Sequence, residues 1–112
     1  MFIEDKLING VLVLRPDLPS IDMSVSVLFK GQIVDWIQKG HQRIVMDLSE
    51  VESMDSSGLG TMVSLLKTIG RPDGIVLCNV HKAVKNLFHI TRFDRVISIY
   101  DSLEEACGTV NP

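Results

Sequence analysis

The stretch that decides the fold is "LSEVESMDSSGLGTMVSLL", Leu48 to Leu66. An acidic, mostly apolar segment ends at Asp55, and two serines and two glycines follow within five residues. The remainder has the apolar spacing of a buried helix face, so a strand should precede this turn and a helix should follow it. One capping residue is enough to begin a helix. The second hydroxyl and the two glycines therefore need another explanation.

Apolar runs on both sides of the turn extend this pattern. A buried strand is predicted at Gln42–Leu48. The helix after the turn carries an apolar stripe made of Leu59, Met62, Val63, Leu66 and Ile69, and it should end at Gly70 and Pro72. Further along the chain, the run "GIVLCNV" predicts a second buried strand and "VISIY" a last one.

Towards the amino terminus, Asn9-Gly10 predicts a tight hairpin between two strands. A helix is expected over Val25–Gln38, capped by Asp22 or Ser24. Its buried stripe should contain Val25, Leu28, Phe29, Ile33, Trp36 and Ile37. A third helix should bury Ala83, Val84, Leu87, Phe88 and Ile90, and Ser102 with Glu105 forms a capping box for a fourth.

The order of these elements predicts the fold class. Two strands are followed by a regular alternation of helix and strand that ends in a helix. Such an alternation is typical of an α/β domain, with a mixed, mainly parallel sheet covered by helices. At 112 residues the chain is expected to form a single domain over residues 1–112.

Composition and residue spacing exclude several classes of function. The net charge of −3 argues against nucleic acid as a partner, and the cluster Lys82, Lys85, Arg92 and Arg95 is interpreted as a solvated face. No apolar run is long enough to span a membrane and no targeting segment is visible, so a cytoplasmic protein is expected. Cys78 and Cys107 match no metal-ligand spacing, and neither do the three histidines. Cys78, inside an apolar strand, should be a buried reduced thiol.

The serines match no catalytic motif completely. A nucleophile elbow needs a glycine two residues before its serine, where Ser56 and Ser57 have Met54 and Asp55. A phosphate-binding loop needs a lysine that is absent after Gly60. The match of Ser64–Lys67 to Ser-x-x-Lys lacks its companion motifs. Catalysis is therefore poorly supported, and no cofactor or metal is expected.

A serine at a helix start can instead accept a phosphate. The phosphate would meet unpaired amides and the positive end of the helix dipole. Gly58 and Gly60 have no structural explanation in the sequence, and glycine lets another molecule approach closely. The turn is therefore interpreted as a contact surface whose charge is switched by phosphorylation.

At these residues the sequence resembles the STAS family of bacterial anti-sigma-factor antagonists. The resemblance rests on "IVMDLSEVESMDSSGLGTMVSLLK" and continues through "GIVLCNVHKAVKNLFHITRFDRVISIYDSLEEA", over roughly Arg43 to Ala106. It implies that Ser56 is the phosphorylated residue and that Asp55 and Ser57 flank it. Gly58, Leu59 and Gly60 would belong to the surface that contacts the partner.

The resemblance also implies the partners. One is a serine kinase of the histidine-kinase-like ATPase type, which also holds the sigma factor. The unphosphorylated antagonist captures this kinase and releases sigma, and a metal-dependent phosphatase reverses the mark. The protein would be a cytoplasmic, monomeric binding protein without catalytic residues, acting on neither nucleic acid nor membrane.

Two segments depart from the family pattern. The loop after the second strand reads "RPDLPSIDMS", with Asp17 and Asp22 as candidate partner-binding residues but no glycine, and "TRF" replaces a small-Gly-Leu element after the third helix. Three alternatives stay open: a STAS module in a pathway without a sigma factor, a small-ligand or nucleotide sensor, and a serine hydrolase.

Overall fold

The structure, a computed structural model, describes residues 2–110, with the backbone alone for 109 and 110. The strands are β1 (Ile3–Ile8), β2 (Val11–Pro16), β3 (Ser20–Ile21), β4 (Ile44–Asp47), β5 (Ser53–Met54), β6 (Ile75–Cys78) and β7 (Ile99–Tyr100). The helices are α1 (Ser26–Gln38), α2 (Ser56–Ile69), α3 (Lys82–Ile90) and α4 (Leu103–Val110), with a 3-10 turn at Phe93–Arg95.

The sheet is mixed and mainly parallel, as the sequence predicts. Its five strands lie in the order β1-β2-β4-β6-β7, and β1 alone runs antiparallel to its neighbour. A separate parallel pair joins β3 to β5. The sequence analysis missed this pair because two residues are too few to show a periodicity. The pair matters for function because it holds the segment before α1 against the segment before α2.

The hairpin predicted at Asn9-Gly10 is confirmed. Ile8 pairs with Val11, and the two residues between them have φ angles of 51° and 83°. Positive φ at both central positions defines the type I′ turn, which matches the twist of a two-residue hairpin.

The central strands are buried on both faces, which explains their unbroken apolar runs. One face of β2, β4 and β6 packs against α1, α2 and α3 and forms the larger core. The other face, with Val13, Val45 and Val76, packs against Ala106 of α4. Cys78 lies on this second face as a free, buried thiol, which confirms the prediction. Burial raises the pKa of its thiol to about 12.

The predicted helices are confirmed, but three of their expected core residues, Leu28, Ala83 and Ile90, are exposed. Leu28 on α1 is 61% exposed and Ile90 on α3 is 80% exposed. The fully buried apolar positions are Phe29 and Ile33 on α1, and Val84 and Phe88 on α3, in each case four residues apart. The other residues of the predicted stripes are half-buried at most, and those at the edge of the buried face are exposed.

The end of α2 and the start of α4 follow the sequence signals. Gly70 ends α2 in the left-handed conformation at φ 66°, and its N–H donates to the Leu66 carbonyl. The capping box at the start of α4 is confirmed, because the Glu105 N–H donates to Ser102 Oγ at 3.1 Å. Thr61 and Leu65 of α2 are buried as well, although the predicted stripe omitted both.

Candidate functional site

The first turn of α2 is built around the carboxylate of Asp55. This residue is the N-cap of the helix, and its Oδ1 accepts a hydrogen bond from the Gly58 N–H at 3.0 Å. Its Oδ2 accepts from the Met23 N–H at 3.1 Å, 32 positions earlier in the chain. One side chain therefore caps α2 and also fixes the turn between β3 and α1.

That second turn contains Asp22, one of the candidate partner-binding residues. Asp22 Oδ1 accepts hydrogen bonds from the Ser24 N–H at 2.9 Å and from Ser24 Oγ. These bonds lower the pKa of the Asp22 carboxyl below its usual value. The prediction that Asp22 or Ser24 caps α1 through its side chain is wrong. Val25 is the N-cap without a side-chain bond, and the Asp22 backbone carbonyl accepts from the Ser26 N–H at 2.9 Å.

The two glycines of the turn have different surroundings. Gly58 is buried, and a Cβ placed on it would overlap the Ile21 carbonyl and lie 2.6 Å from Met54 Cγ. The interpretation that nothing structural explains this glycine is therefore wrong, because α2 approaches β3 too closely for a side chain. Gly60 is exposed, and a Cβ there would meet nothing within 4 Å. Gly60 is therefore the glycine of this turn that the fold does not explain.

Ser56 and Ser57 also differ in accessibility. Ser56 is the first residue of α2 and is exposed, whereas Ser57 is half-buried. Leu59 is half-buried as well and packs against the larger core. The hydroxyl that a modifying enzyme can reach most readily in this turn is therefore that of Ser56.

The structure separates the two acidic residues of the β2–α1 loop. Asp22 adjoins the Asp55 turn through Met23. Asp17 instead lines a cleft of about 360 Å³ with Ser49, Glu50 and His81. His81 Nε2 lies 2.6 Å from the Ser49 carbonyl oxygen, so this imidazole is hydrogen-bonded to the backbone of the loop after β4. A role for Asp17 in partner binding stays a prediction.

An exposed apolar patch adjoins the turn, and the sequence analysis missed it. Met23 is 77% exposed, Val27 81% and Leu28 61%, and these three residues are named the α1 patch here. α1 packs against α2, and both helices cross between parallel strands, so their first turns lie at the same end of the layer. The signal in the sequence was Val27, an apolar residue outside the predicted stripe.

The described residues contain no group of three or more His, Cys, Asp and Glu side chains that could hold a metal ion. Within the same residues, no helix is long and apolar enough to cross a membrane. The turn itself presents an accessible hydroxyl, a carboxylate that bridges two segments, and exposed apolar side chains beside it.

Comparison with known proteins identifies the family of this chain. The model of the STAS domain matches residues 2–106. The chain belongs to the STAS domain family. A Thermotoga maritima protein provisionally named an anti-sigma factor antagonist is 34% identical over 107 residues, covering 94% of both chains. The anti-sigma F factor antagonist of Paenibacillus polymyxa is 30% identical over 96 residues, covering 84% of this chain and 81% of the relative.

The solved structures agree with this family. The crystal structure of TM1081 from Thermotoga maritima, an antagonist of the same provisional name, superposes with a TM-score of 0.88. It is 32% identical, and the match covers 98% of this STAS domain and 95% of TM1081. The family resemblance inferred from residues 43–106 thus extends over the amino-terminal hairpin and α1 as well.

Proposed function

We propose that this STAS domain is an antagonist of an anti-sigma factor, and that phosphorylation of Ser56 controls its binding. The observation that carries the proposal is the exposed Ser56 hydroxyl at the start of α2, next to the α1 patch. Two relatives that match more than four fifths of this chain carry the name of anti-sigma factor antagonist, one of them provisionally.

The proposed partner is a serine kinase of the histidine-kinase-like ATPase type that also holds the sigma factor. The unphosphorylated domain binds the kinase through the first turn of α2 and the α1 patch. Together they present apolar surface and an unmodified hydroxyl. Capture of the kinase releases sigma. The kinase then phosphorylates Ser56 and dissociates, and a metal-dependent phosphatase restores the binding form in the cytoplasm.

The charge of the turn explains why the switch would act on the partner. A phosphate adds about 1.5–2 negative charges beside Asp55. The helix dipole stabilises a phosphate at this position by only about 0.3–1 kcal/mol. The Asp55 carboxylate, which already accepts from Met23 and Gly58, repels the new charge. Neither the cap nor the parallel pair of β3 and β5 involves the Ser56 side chain. The new charge would therefore change the interface while leaving the fold intact.

The size of the effect on binding follows from like-charge repulsion. Unfavourable charges within an interface cost several kcal/mol, and about 1.4 kcal/mol is a tenfold change in affinity. Phosphorylated domain should therefore bind the kinase at least about tenfold more weakly than unmodified domain. No catalytic role of the domain itself is required for this cycle.

Phosphosite mapping tests the proposal. The protein is incubated with ATP and a lysate of its host, and the tryptic peptide Ile44–Lys67, which contains Ser49, Ser53, Ser56, Ser57 and Ser64, is analysed by mass spectrometry. One phosphate at Ser56 is expected, lost in Ser56→Ala and retained in the matched control Ser53→Ala. Phosphate at another serine, or none on this peptide across growth conditions, would contradict the proposed switch.

A further inference from the structure

A basic surface covers the end of α3 and the 3-10 turn after it, far along the chain from Ser56. The segment Lys82–Val96 holds four lysines and arginines and one carboxylate, Asp94, in a chain whose net charge is −3. Asp94 lies 3.2 Å from His89, and Lys85 lies 3.6 Å from the exposed Asp101.

In the described part of the chain, Arg92 and Arg95 have no ion-pair partner. The unpaired positive charge of this surface is therefore that of Arg92 and Arg95, because Lys85 faces Asp101, and Asp73 and Asp94 lie in the same region. From the sequence we expected a solvated face, but two further features of the structure favour a binding surface.

Arg92 has an unfavourable backbone conformation. It directly follows the C-cap of α3, with φ 61° and ψ 20°. Four non-glycine residues of the described chain have positive φ, and the other three are Asn9, Asp73 and Asn79. Asparagine and aspartate tolerate this conformation, whereas a long side chain is disfavoured there and glycine is the usual residue after a helix C-cap. A strained, exposed and unpaired arginine indicates a role for its side chain in binding.

Two adjoining clefts run through this basic surface. The first, of about 810 Å³, is lined by Pro72, Lys85, Arg95, Val96, Ile99 and Tyr100, among others. The second, of about 530 Å³, is lined by His89, Ile90, Arg92, Asp94 and Arg95, and it shares His89, Asp94 and Arg95 with the first. Because the two clefts share lining residues, they form one continuous groove, named the β7 groove here.

The floor and walls of the groove provide two more kinds of contact. β7 is an edge strand of the sheet, and the carbonyls of Ser98 and Tyr100 accept from the N–H groups of Leu77 and Asn79, which leaves the intervening Ile99 backbone groups on the open side. Ile90 is 80% exposed and Val96 67% exposed within the clefts. An open strand edge pairs with an extended peptide, and exposed apolar residues pack against its side chains.

We propose that the β7 groove binds an extended acidic segment of a partner protein. The backbone of that segment pairs along β7, its carboxylates meet Arg92, Arg95 and Lys85, and its apolar residues cover Ile90 and Val96. Single-stranded nucleic acid fits less well, because bases need several aromatic surfaces and the described lining of the clefts offers two rings, the phenol of Tyr100 and the imidazole of His89. A concave groove along a strand edge also suits a peptide better than a lipid surface.

This surface is separate from the proposed switch. The groove includes Pro72 and Asp73, which precede β6, so it extends towards the amino ends of the parallel strands. Ser56 lies beyond the carboxyl end of β4. The groove should therefore bind its ligand regardless of the phosphorylation state of Ser56, and neither proposal depends on the other.

Three charge variants test the groove against a defined probe. The probe is a fluorescein-labelled peptide of alternating glutamate and leucine, and its binding to the full chain is followed by fluorescence anisotropy. Arg92→Gln removes the charge and keeps the backbone strain, whereas Arg92→Gly removes both. Both should weaken binding about fivefold, the effect of one exposed charge pair. Lys67→Gln on α2 removes a charge elsewhere and should leave binding unchanged.

Stability provides a second readout of the same variants. Arg92→Gly should raise the melting temperature or leave it unchanged, because glycine relieves the strain at positive φ, whereas Arg92→Gln should not raise it. Weaker binding in a more stable protein cannot result from damage to the fold. A peptide with lysine in place of glutamate should not bind, and Ser56→Asp should bind the acidic peptide like the unmodified chain.

Several outcomes would overturn the proposal. Binding of the acidic peptide to both Arg92 variants as tight as to the unmodified chain would overturn it, and so would the absence of binding to the full chain at low salt. Stronger Arg92-dependent binding to anionic phospholipid vesicles or to single-stranded DNA than to the peptide would assign the surface to phosphates instead. Loss of peptide binding in Ser56→Asp would show that the groove and the switch are one surface.

Discussion

The two sides of the first turn of α2 differ in what the chain itself requires of them. On the inner side, Gly58 lies against the Ile21 carbonyl and Asp55 bonds both Gly58 and Met23. On the outer side, Ser56 and Gly60 are exposed, and a Cβ at Gly60 would meet nothing. A motif of six residues thus combines positions that the fold needs with positions that only a partner would need.

Because of this difference, the glycine and the serine of the motif have separate explanations, which the sequence alone does not distinguish. Glycine and serine in one short motif invite a single functional explanation for all of them. The structure assigns the close packing of α2 on β3 to Gly58 and leaves the accessible hydroxyl to Ser56. Substitutions on the inner side should therefore change stability, and those on the outer side should change binding.

Gly58→Ala should have the largest effect on stability. The added methyl group would overlap the Ile21 carbonyl, and backbone cannot move aside as a flexible side chain does. The expected cost is about 3 kcal/mol in the free energy of unfolding, the upper part of the range for overpacked sites. Urea unfolding followed by circular dichroism measures it. A change below about 1 kcal/mol would show that α2 and β3 do not pack so closely.

Asp55→Ala should have the next largest effect. It removes the cap of α2 and the bond to the Met23 N–H, at an expected cost of about 1–2 kcal/mol. Asp55→Asn keeps one carbonyl oxygen and should lose less than the alanine variant. Amide hydrogen exchange at Met23 and Gly58 should accelerate in Asp55→Ala. Unchanged exchange at Met23 would contradict the bridge between the two turns.

Gly60→Ala is the matched control for Gly58→Ala, in the same helical turn. Nothing lies within 4 Å of the added methyl group, and alanine is a better helix former than glycine. The variant should be more stable by about 0.5–1 kcal/mol. If Gly60 belongs to the partner surface, its binding to the kinase should weaken at the same time. Lower stability would place Gly60 among the positions required by the fold.

Ser56 variants should have the smallest effect on stability. Ser56→Ala and Ser56→Asp change an exposed side chain that no cap or strand pair uses, so each should remain within about 0.5 kcal/mol of the unmodified protein. Thermal unfolding by calorimetry measures this. A clear loss of stability in either variant would mean that the hydroxyl is part of the structure of the turn.

The sequence predicts the order of the helices and strands because the periodicity of long apolar runs reports which face is buried. Local signals predict Gly70, the Asn9-Gly10 hairpin and the Ser102 capping box, since each depends on a few neighbouring residues. Gly58 was misread because its neighbour Ile21 is distant along the chain. The hydrogen bond between Asp55 and Met23 was not predicted for the same reason, because the two residues are 32 positions apart.

Exposure was harder to predict than secondary structure. Leu28 and Ile90 are apolar and belong to the predicted buried stripes, yet both are exposed because they lie at the edge of the buried face of their helices. The left-handed conformation of Arg92 has no sequence signal at all, since arginine is unusual there. Both proposed binding surfaces contain one of these misassigned residues, Leu28 in the α1 patch and Ile90 in the β7 groove.

The measurement that tests the central claim most directly compares the affinities of two forms of the protein for one partner. The kinase captured with Ser56→Ala is titrated by calorimetry with unmodified protein and with protein phosphorylated at Ser56, and both forms are also melted. The account predicts affinities that differ by at least about tenfold and nearly equal melting temperatures. Equal affinities, or a phosphorylated form that melts well below the other, would contradict a switch that acts on the partner.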